Sequence, residues 1–394
     1  MFGSGSSQVR VLLASVLKPV DDTRMRGKFT ETLRERPALE IHIAGRSNGD
    51  DLHYALAEAF PQVMQHAIFQ GSRLNLNRLT AQWRYWHLLQ VLRPALVIVH
   101  APELLPLTLL WQALGKGRKF LYDIRENYAL NVSTQWVYQG FTRRILAAGL
   151  RWVEGHAARQ AAGVILAEAS YAAELPFLKA LPASRVVVLE NKYQPVPSEM
   201  LPMQPTPLPP LHESLRLLYS GTISELNGVW EAITLAEQLH QAWAGGVRLT
   251  IIGFCQQPAL LQQLQEKVAT NTGWLTLIGG PQPVPHAEIV AEIGHSHLGL
   301  LPYWPHPSTE RCRPTKLFEY LAHGLPVISS PNALWNELLQ AYGAGLQLSF
   351  QQPIDGPALV TQLQSRLFYP KGIPQEALWA TEGKKLWHLL DTVI

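Results

Sequence analysis

Cysteine is scarce in this chain: two residues, Cys255 and Cys312, in 394. So few, so far apart, exclude a disulfide framework and suit a reducing cytoplasm. Charge is sparse as well, with 16% Asp, Glu, Lys and Arg against 47% apolar residues and a formal net charge of +3. That balance is ample for burying large cores. The basic residues are dispersed and no groove-reading motif is present, so no nucleic-acid partner is expected. No stretch reaches the roughly 18 continuous apolar residues of a membrane span. The opening MFGSGSSQVRVLLASVL holds too short an apolar run and too few early positive charges for a signal peptide, and Met1 to Ser7 read as a floppy head. A complete G-x-G-x-x-G after a strand, with an acid about twenty residues on, is missing, which argues against a Rossmann oxidoreductase. Metal-ligand spacing is missing too. His295 and His297 stand two apart on an irregular segment with no acidic partner nearby, and no metal site is expected.

What the chain has is apolar length in regular alternation. At 394 residues it is about twice the usual domain size, so two domains are expected. Val9–Val16 reads as a buried strand, followed by a polar loop with Arg24 and Gly27 and a helical pattern from Phe29. Leu39–Ala44, Ala95–His100, Phe120–Tyr122, the run from Gly163 and Val186–Leu189 are further strands. His100 and Glu103 stand at the carboxyl end of one, and Asp123, Arg125 and Glu126 at that of the next. Successive parallel strands that deliver polar clusters to one edge are what a binding cleft needs. Gln135–Gln160 is a long helical pattern with Val137, Phe141, Ile145, Ala148 and Trp152 on an apolar stripe and Arg143, Arg144 and Arg151 off it. Gln70–Arg93 interleaves Arg73, Arg78, Arg84 and Arg93 with Trp83, Tyr85 and Trp86. It suits either an anionic membrane surface at the inner face or a core-packing helix with a solvated side.

Prolines recur from Gln194 to Pro210 with little periodicity, which marks a linker. The expected boundaries are 1–195, a linker 196–212, a second α/β domain 213–373, and a final helical segment 374–394. The second half restarts with a strand at Leu215–Tyr219 and a loop bounded by Gly221 and Gly228, and a helix begins near Val229. A glycine-bounded turn of this kind lets backbone N–H groups approach a diphosphate.

The densest signal is RCRPTKLFEYLAHGLPVISS, Arg311–Ser330. Pro314 and Thr315 start a helix, Gly324 ends it, and Leu-Pro-Val-Ile continues as a buried strand. Leu317, Phe318, Leu321 and Ala322 share one face, leaving Lys316, Glu319 and His323 off it. The helix start offers unpaired N–H groups and a partial positive charge, ringed by Arg311, Arg313 and Lys316. That is a site for an anion, a phosphate first of all. Glu319, one turn in, can accept from two adjacent hydroxyls of a ribose.

The segment PTKLFEYLAHGLPVI resembles the donor-site helix of the retaining glycosyltransferases of family four. The resemblance implies the GT-B fold: two Rossmann-like domains with parallel sheets facing across a cleft, and a last helix that crosses back to the first domain, here with Trp379, Leu386, Trp387 and Leu390. It implies a UDP- or GDP-linked sugar as co-substrate, no cofactor or obligatory metal, and retention at the anomeric carbon. The acceptor would be a glycan, a lipid-linked molecule or a small molecule. By resemblance Glu319 takes the ribose, Thr315 and the helix start hold the diphosphate, Pro285 in PVPH covers the base, and Lys316 with Arg313 steadies the leaving phosphate. The opening strand and loop are similar to the family's, which places Arg24 and Gly27 beside the cleft. YDIRENY resembles the cleft-lining strand end, with Arg125 where a His is usual and Glu126 as the candidate acceptor contact. Many members carry a second glutamate eight positions before the ribose-binding one; here that place is Arg311, with Glu310 adjacent. Two basic residues usual in the glycine-bounded loop are Thr222 and Asn227. A relocated phosphate clamp is expected in consequence, and two alternatives stand beside the transferase: a sugar-nucleotide epimerase of the same fold, and a catalytically silent subunit of a polysaccharide-assembly complex.

Overall fold

The computed structural model describes residues 8–47, 63–71, 77–130 and 140–394. Met1–Ser7, Arg73 and Val137 lie outside the described residues, as do the side chains of Phe141 and Arg143. The chain divides into two compact units, one of residues up to Gln194 together with Trp379–Ile394, the other Pro195–Leu378.

Unit 1 is built on seven parallel strands: β1 (Val9–Pro19), β2 (Leu39–Arg46), β3 (Val63–Phe69), β4 (Leu96–Val99), β5 (Lys119–Ile124), β6 (Gly163–Leu166) and β7 (Val186–Val188). Their order is β3-β2-β1-β4-β5-β6-β7. Alternate residues of a strand point to opposite faces, so β1 feeds two cores. Leu12, Ala14 and Val16 meet α1 (Asn77–Leu92), α2 (Leu105–Ala113) and α3 (Gly140–Gln160) through Tyr85, Leu89, Trp111, Ala157 and Ala158. Val11 and Leu13 meet Phe29 and the C-terminal helix, Ala380–Val393, through Leu386, Leu389, Leu390 and Val393, with Trp379 just before it. Trp379 Nε1 donates to Thr32 Oγ1 at 2.9 Å, and the buried Glu382 pairs with Lys192 at 2.6 Å. The last helix is therefore part of the first unit's core.

One expectation for unit 1, the apolar stripe of α3, does not hold, while α1 has a packed side and a solvated one. The stripe on α3 faces outward: Ile145 is 57% and Trp152 68% exposed, and Ala148 is exposed too. The buried residues whose side chains are described are instead Glu154, Gly155, Ala157 and Ala158 toward the helix end, three of them small enough to let the backbone approach the sheet. On α1 the described residues Ala81, Tyr85 and Leu89 are buried, while Trp83 stands in solvent.

Unit 2 holds six parallel strands: β8 (Leu215–Ile223), β9 (Val247–Cys255), β10 (Leu275–Gly280), β11 (Leu298–Leu301), β12 (Val327–Ser329) and β13 (Gly345–Gln347), in the order β10-β9-β8-β11-β12-β13. Between and after them run α4 (Val229–Ala242), α5 (Pro258–Ala269), α6 (His286–His295), α7 (Thr315–Ala322), α8 (Ala333–Tyr342) and α9 (Gly356–Gln364). β8 runs past Tyr219 to Ile223 because it stays in register with β9 as far as Cys255. The proline-rich stretch has neither helix nor strand from Pro195 to Pro210. It packs on its own unit: Glu199 Oε1 is 3.0 Å from His323 Nε2, and Thr206 N donates to Gly324 O at 3.0 Å.

Candidate functional site

In open parallel sheets, ligands gather at the carboxyl ends of strands where the strand order reverses. Unit 1 has that point between β1 and β4, unit 2 between β8 and β11.

In unit 2, α7 follows the loop after β11. Pro314 caps it with extended backbone (φ −65°, ψ 143°), and no side chain caps its amino end. Pro314 is thus the cap rather than the first helical residue. Every residue from Leu317 to His323 is buried, Glu319 and His323 included, against the expectation that these two lie off the packed face. Each is buried because it has a partner. Glu319 Oε1 lies 2.5 Å from His286 Nε2 at the start of α6, and His323 is tied to Glu199. Tyr320 joins Ser220 at 2.8 Å and thereby fixes α7 against the end of β8.

Lys316 stands on the open side of this helix. Its Nζ lies 5.3 Å from the Tyr219 ring centroid and 5.4 Å from that of Tyr303, a cation against two aromatic faces. Among the described residues it has no carboxylate partner. The stem of Lys316 crosses directly over Gly221, whose φ is 92°; a Cβ there would come 2.5 Å from Lys316 Cε. Lys316, the start of α7 and the glycine turn of β8 therefore meet at one place. Thr315 is exposed beside them, and Pro285 caps α6 next to the histidine that reaches Glu319.

The other basic residues of this segment go elsewhere. Arg313 Nη2 lies 2.6 Å from Glu337 Oε2 on α8, Arg311 is exposed, and Glu310 is exposed with its carbonyl accepting from Asn332 Nδ2. Thr222 and Asn227 bond to one another, Asn227 Nδ2 donating to Thr222 O at 2.9 Å. That bond closes the β8 turn on itself, a structural use for an amide where a charged residue would reach outward.

Unit 1 gathers a second cluster at its own switch point. Asp123, at the end of β5, takes two bonds from Arg24, at 2.8 and 2.7 Å, and lies 2.7 Å from His100 Nδ1. Arg24 also donates to Leu189 O and Asn191 Oδ1, and the side chains of Arg24, His100 and Asp123 are all buried. Burial opposes ionisation of Asp123, but Arg24 and then His100 hold its carboxyl well below the usual carboxylate range. Burial pushes the His100 imidazole down despite the pull of Asp123, so the ring is neutral with its proton on Nδ1. Its buried Nε2 has no hydrogen-bond partner among the described residues. Around this cluster Arg125 pairs with Asp22 at 2.8 Å, Glu126 with Lys18 at 3.2 Å and Glu103 with Arg78 at 2.7 Å. Gly27 faces open space in the turn Met25–Thr30.

No local pattern in the sequence marks His286, Tyr219, Tyr303 or Asn191 for a role. Tyr219 lies within β8 and Tyr303 just beyond β11, two strands that are neighbours in the sheet, and that neighbourhood is a property of the topology.

No family model and no curated protein matches the chain. Solved structures do. It is similar to sucrose-phosphate synthase from Thermosynechococcus elongatus at a TM-score of 0.63 and 13% identity, over 98% of this chain and 99% of that one. It is similar to the lipopolysaccharide outer core galactosyltransferase WaaB in its apo form, at 0.62 and 13%, over 98% and 100%. It is also similar to HepE of Anabaena in complex with UDP, at 0.59 and 13%, over 98% and 100%. These likenesses show the fold: two Rossmann-like domains with parallel sheets, the GT-B architecture.

Proposed function

We propose that this protein is a glycosyltransferase that takes a sugar from a nucleoside-diphosphate donor bound at the start of α7. The observation that carries the reading is the meeting of Lys316 with Gly221, one helical turn from the buried carboxylate of Glu319. A helix start without a side-chain cap and an ammonium without a carboxylate partner among the described residues suit a diphosphate. Glu319 suits the two hydroxyls of the ribose, and Pro285 the base. As the glycosidic bond breaks, negative charge grows on the departing phosphate, and its stabilisation is assigned to Lys316 and the backbone N–H groups. Unit 1 supplies acceptor contacts at its own strand ends, Glu126 among them. Retention at the anomeric carbon, a UDP or GDP donor and a glycan or lipid-linked acceptor follow from the family resemblance, as does chemistry without an obligatory metal.

Calorimetry with UDP and GDP tests the donor site. Glu319→Ala is expected to bind the preferred nucleotide about tenfold more weakly or worse, as for a lost hydrogen bond to a charged group. Lys316→Ala is expected to lower kcat by about 10²-fold or more, as for a lost donor to developing charge. Unchanged nucleotide affinity in Glu319→Ala removes the ribose assignment. Conversion of donor without any acceptor identifies an epimerase instead.

A further inference from the structure

On unit 2 a cavity of about 180 Å³ opens at the carboxyl ends of β11, β12 and β13. Its walls come from the loop after β11 (Pro302, Tyr303, Trp304), from Ser349, Phe350 and Gln351 after β13, from Ser330 and Pro331 after β12, and from Glu231 in the first turn of α4. The wall is held together tightly. Trp304 N donates to Leu226 O at 2.9 Å, and Gly228 lies so close to Pro302 O that a Cβ would approach to 1.9 Å.

Two features of this wall ask for a ligand. Glu231 Oε2 is buried and has no hydrogen-bond partner among the described residues. A buried carboxylate oxygen without a donor is costly, and one in a cavity wall invites donors from whatever enters. Opposite chemistry lies alongside: Tyr303 and Phe350 offer aromatic surface, and Trp304 remains 42% exposed at the mouth. Flat apolar faces beside an acceptor carboxylate match a pyranose ring, whose C–H face stacks on aromatics while its rim donates hydroxyls. Ser330, Ser349 and Gln351 add neutral hydroxyl and amide partners. An organic ammonium would use the carboxylate and the rings but leave those three without a purpose. The volume equals that of about six liquid waters, the scale of one sugar ring rather than a chain.

We propose that this cavity is a monosaccharide-binding subsite that takes a single neutral hexopyranose, with Glu231 accepting from ring hydroxyls and Trp304 stacking on its face. It goes beyond the donor reading and does not depend on it, since none of its contacts is assigned to a nucleotide. Tyr303 is shared between the two, one side of its ring facing Lys316.

The test is saturation-transfer NMR on the full chain with the methyl α-pyranosides of glucose, galactose and mannose, and with tetramethylammonium as the competing class. At least one pyranoside is expected to bind, with about tenfold weaker affinity in Glu231→Gln, as for a hydrogen bond to a charged acceptor. Trp304→Ala is expected to weaken it as strongly. Should Trp304→Ala fail to fold, the near-isosteric Glu231→Gln carries the test by itself. No transfer from any of the three sugars, transfer that survives both substitutions, or preferential binding of tetramethylammonium overturns the proposal. UDP affinity measured on the same samples reports on the donor reading separately.

Discussion

At the scale of single residues, the deciding quantity is whether a buried charge has a partner. Arg24 and Asp123 are 1% and 0% exposed and bonded at two points. Removing one member of such a pair leaves the other stranded, so Asp123→Asn is expected to cost about 3–5 kcal/mol of stability, read from denaturant midpoints. Glu154 is the contrasting case. It is 1% exposed on α3, accepts from Tyr122 Oη at 2.7 Å, and its Oε2 has no hydrogen-bond partner among the described residues. Burial pushes its carboxyl up from 4.5 to about 7, with Tyr122 and Arg151 pulling the other way. A raised carboxyl pKa means the folded state holds a proton that the unfolded state releases. Stability is therefore lost as pH rises from about 4.5 to 7, up to about 3 kcal/mol. Glu154→Gln is expected to raise the Tm at pH 8 and change it little at pH 4, checked by calorimetry at both. Neither partnership was legible in the sequence. Glu154 is one acid on a polar-looking helix, and only the fold sets it against Tyr122.

Among elements, α7 was the most legible, because its start, its apolar spacing and its glycine stop are local features. Its bounds, Thr315–Ala322, follow from Pro314 and from Gly324 at φ 63°. What could not be read was the depth of its burial, since His286 and Glu199 reach it from far along the chain. β3 and β13 carry little strand signal in the sequence. Both are sheet edges, where pairing on one side alone needs a weaker apolar run, as in VMQHAIF. The apolar stripe of α3 faces solvent for a related reason: spacing identifies a face but not its neighbour. The β8 turn offers a check at this scale. Gly228 sits at φ 76° with Pro302 O where a side chain would go. Gly228→Ala is expected to cost about 1–3 kcal/mol, visible in the denaturation midpoint.

For the whole molecule, the C-terminal helix is the element whose loss tests the division into units. It closes the face of unit 1 made by Val11, Leu13, Ile41 and Ile43. A chain ending at Leu378 is expected to lose the calorimetric transition of unit 1 and keep that of unit 2, since unit 2 runs from Pro195 to Leu378. Retention of both transitions would show the helix to be dispensable. By itself the sequence determined the α/β class, the break at the prolines, the helix within Arg311–Ser330 and the residues at most strand ends, because apolar runs, proline and glycine act through the backbone within a few residues. Only the tertiary structure decided which of those residues meet. Parallel strands pair out of chain order, so the company that Lys316 keeps with Gly221, Glu319 with His286, and Arg24 with Asp123 is set by strand order and helix packing, which no local pattern encodes.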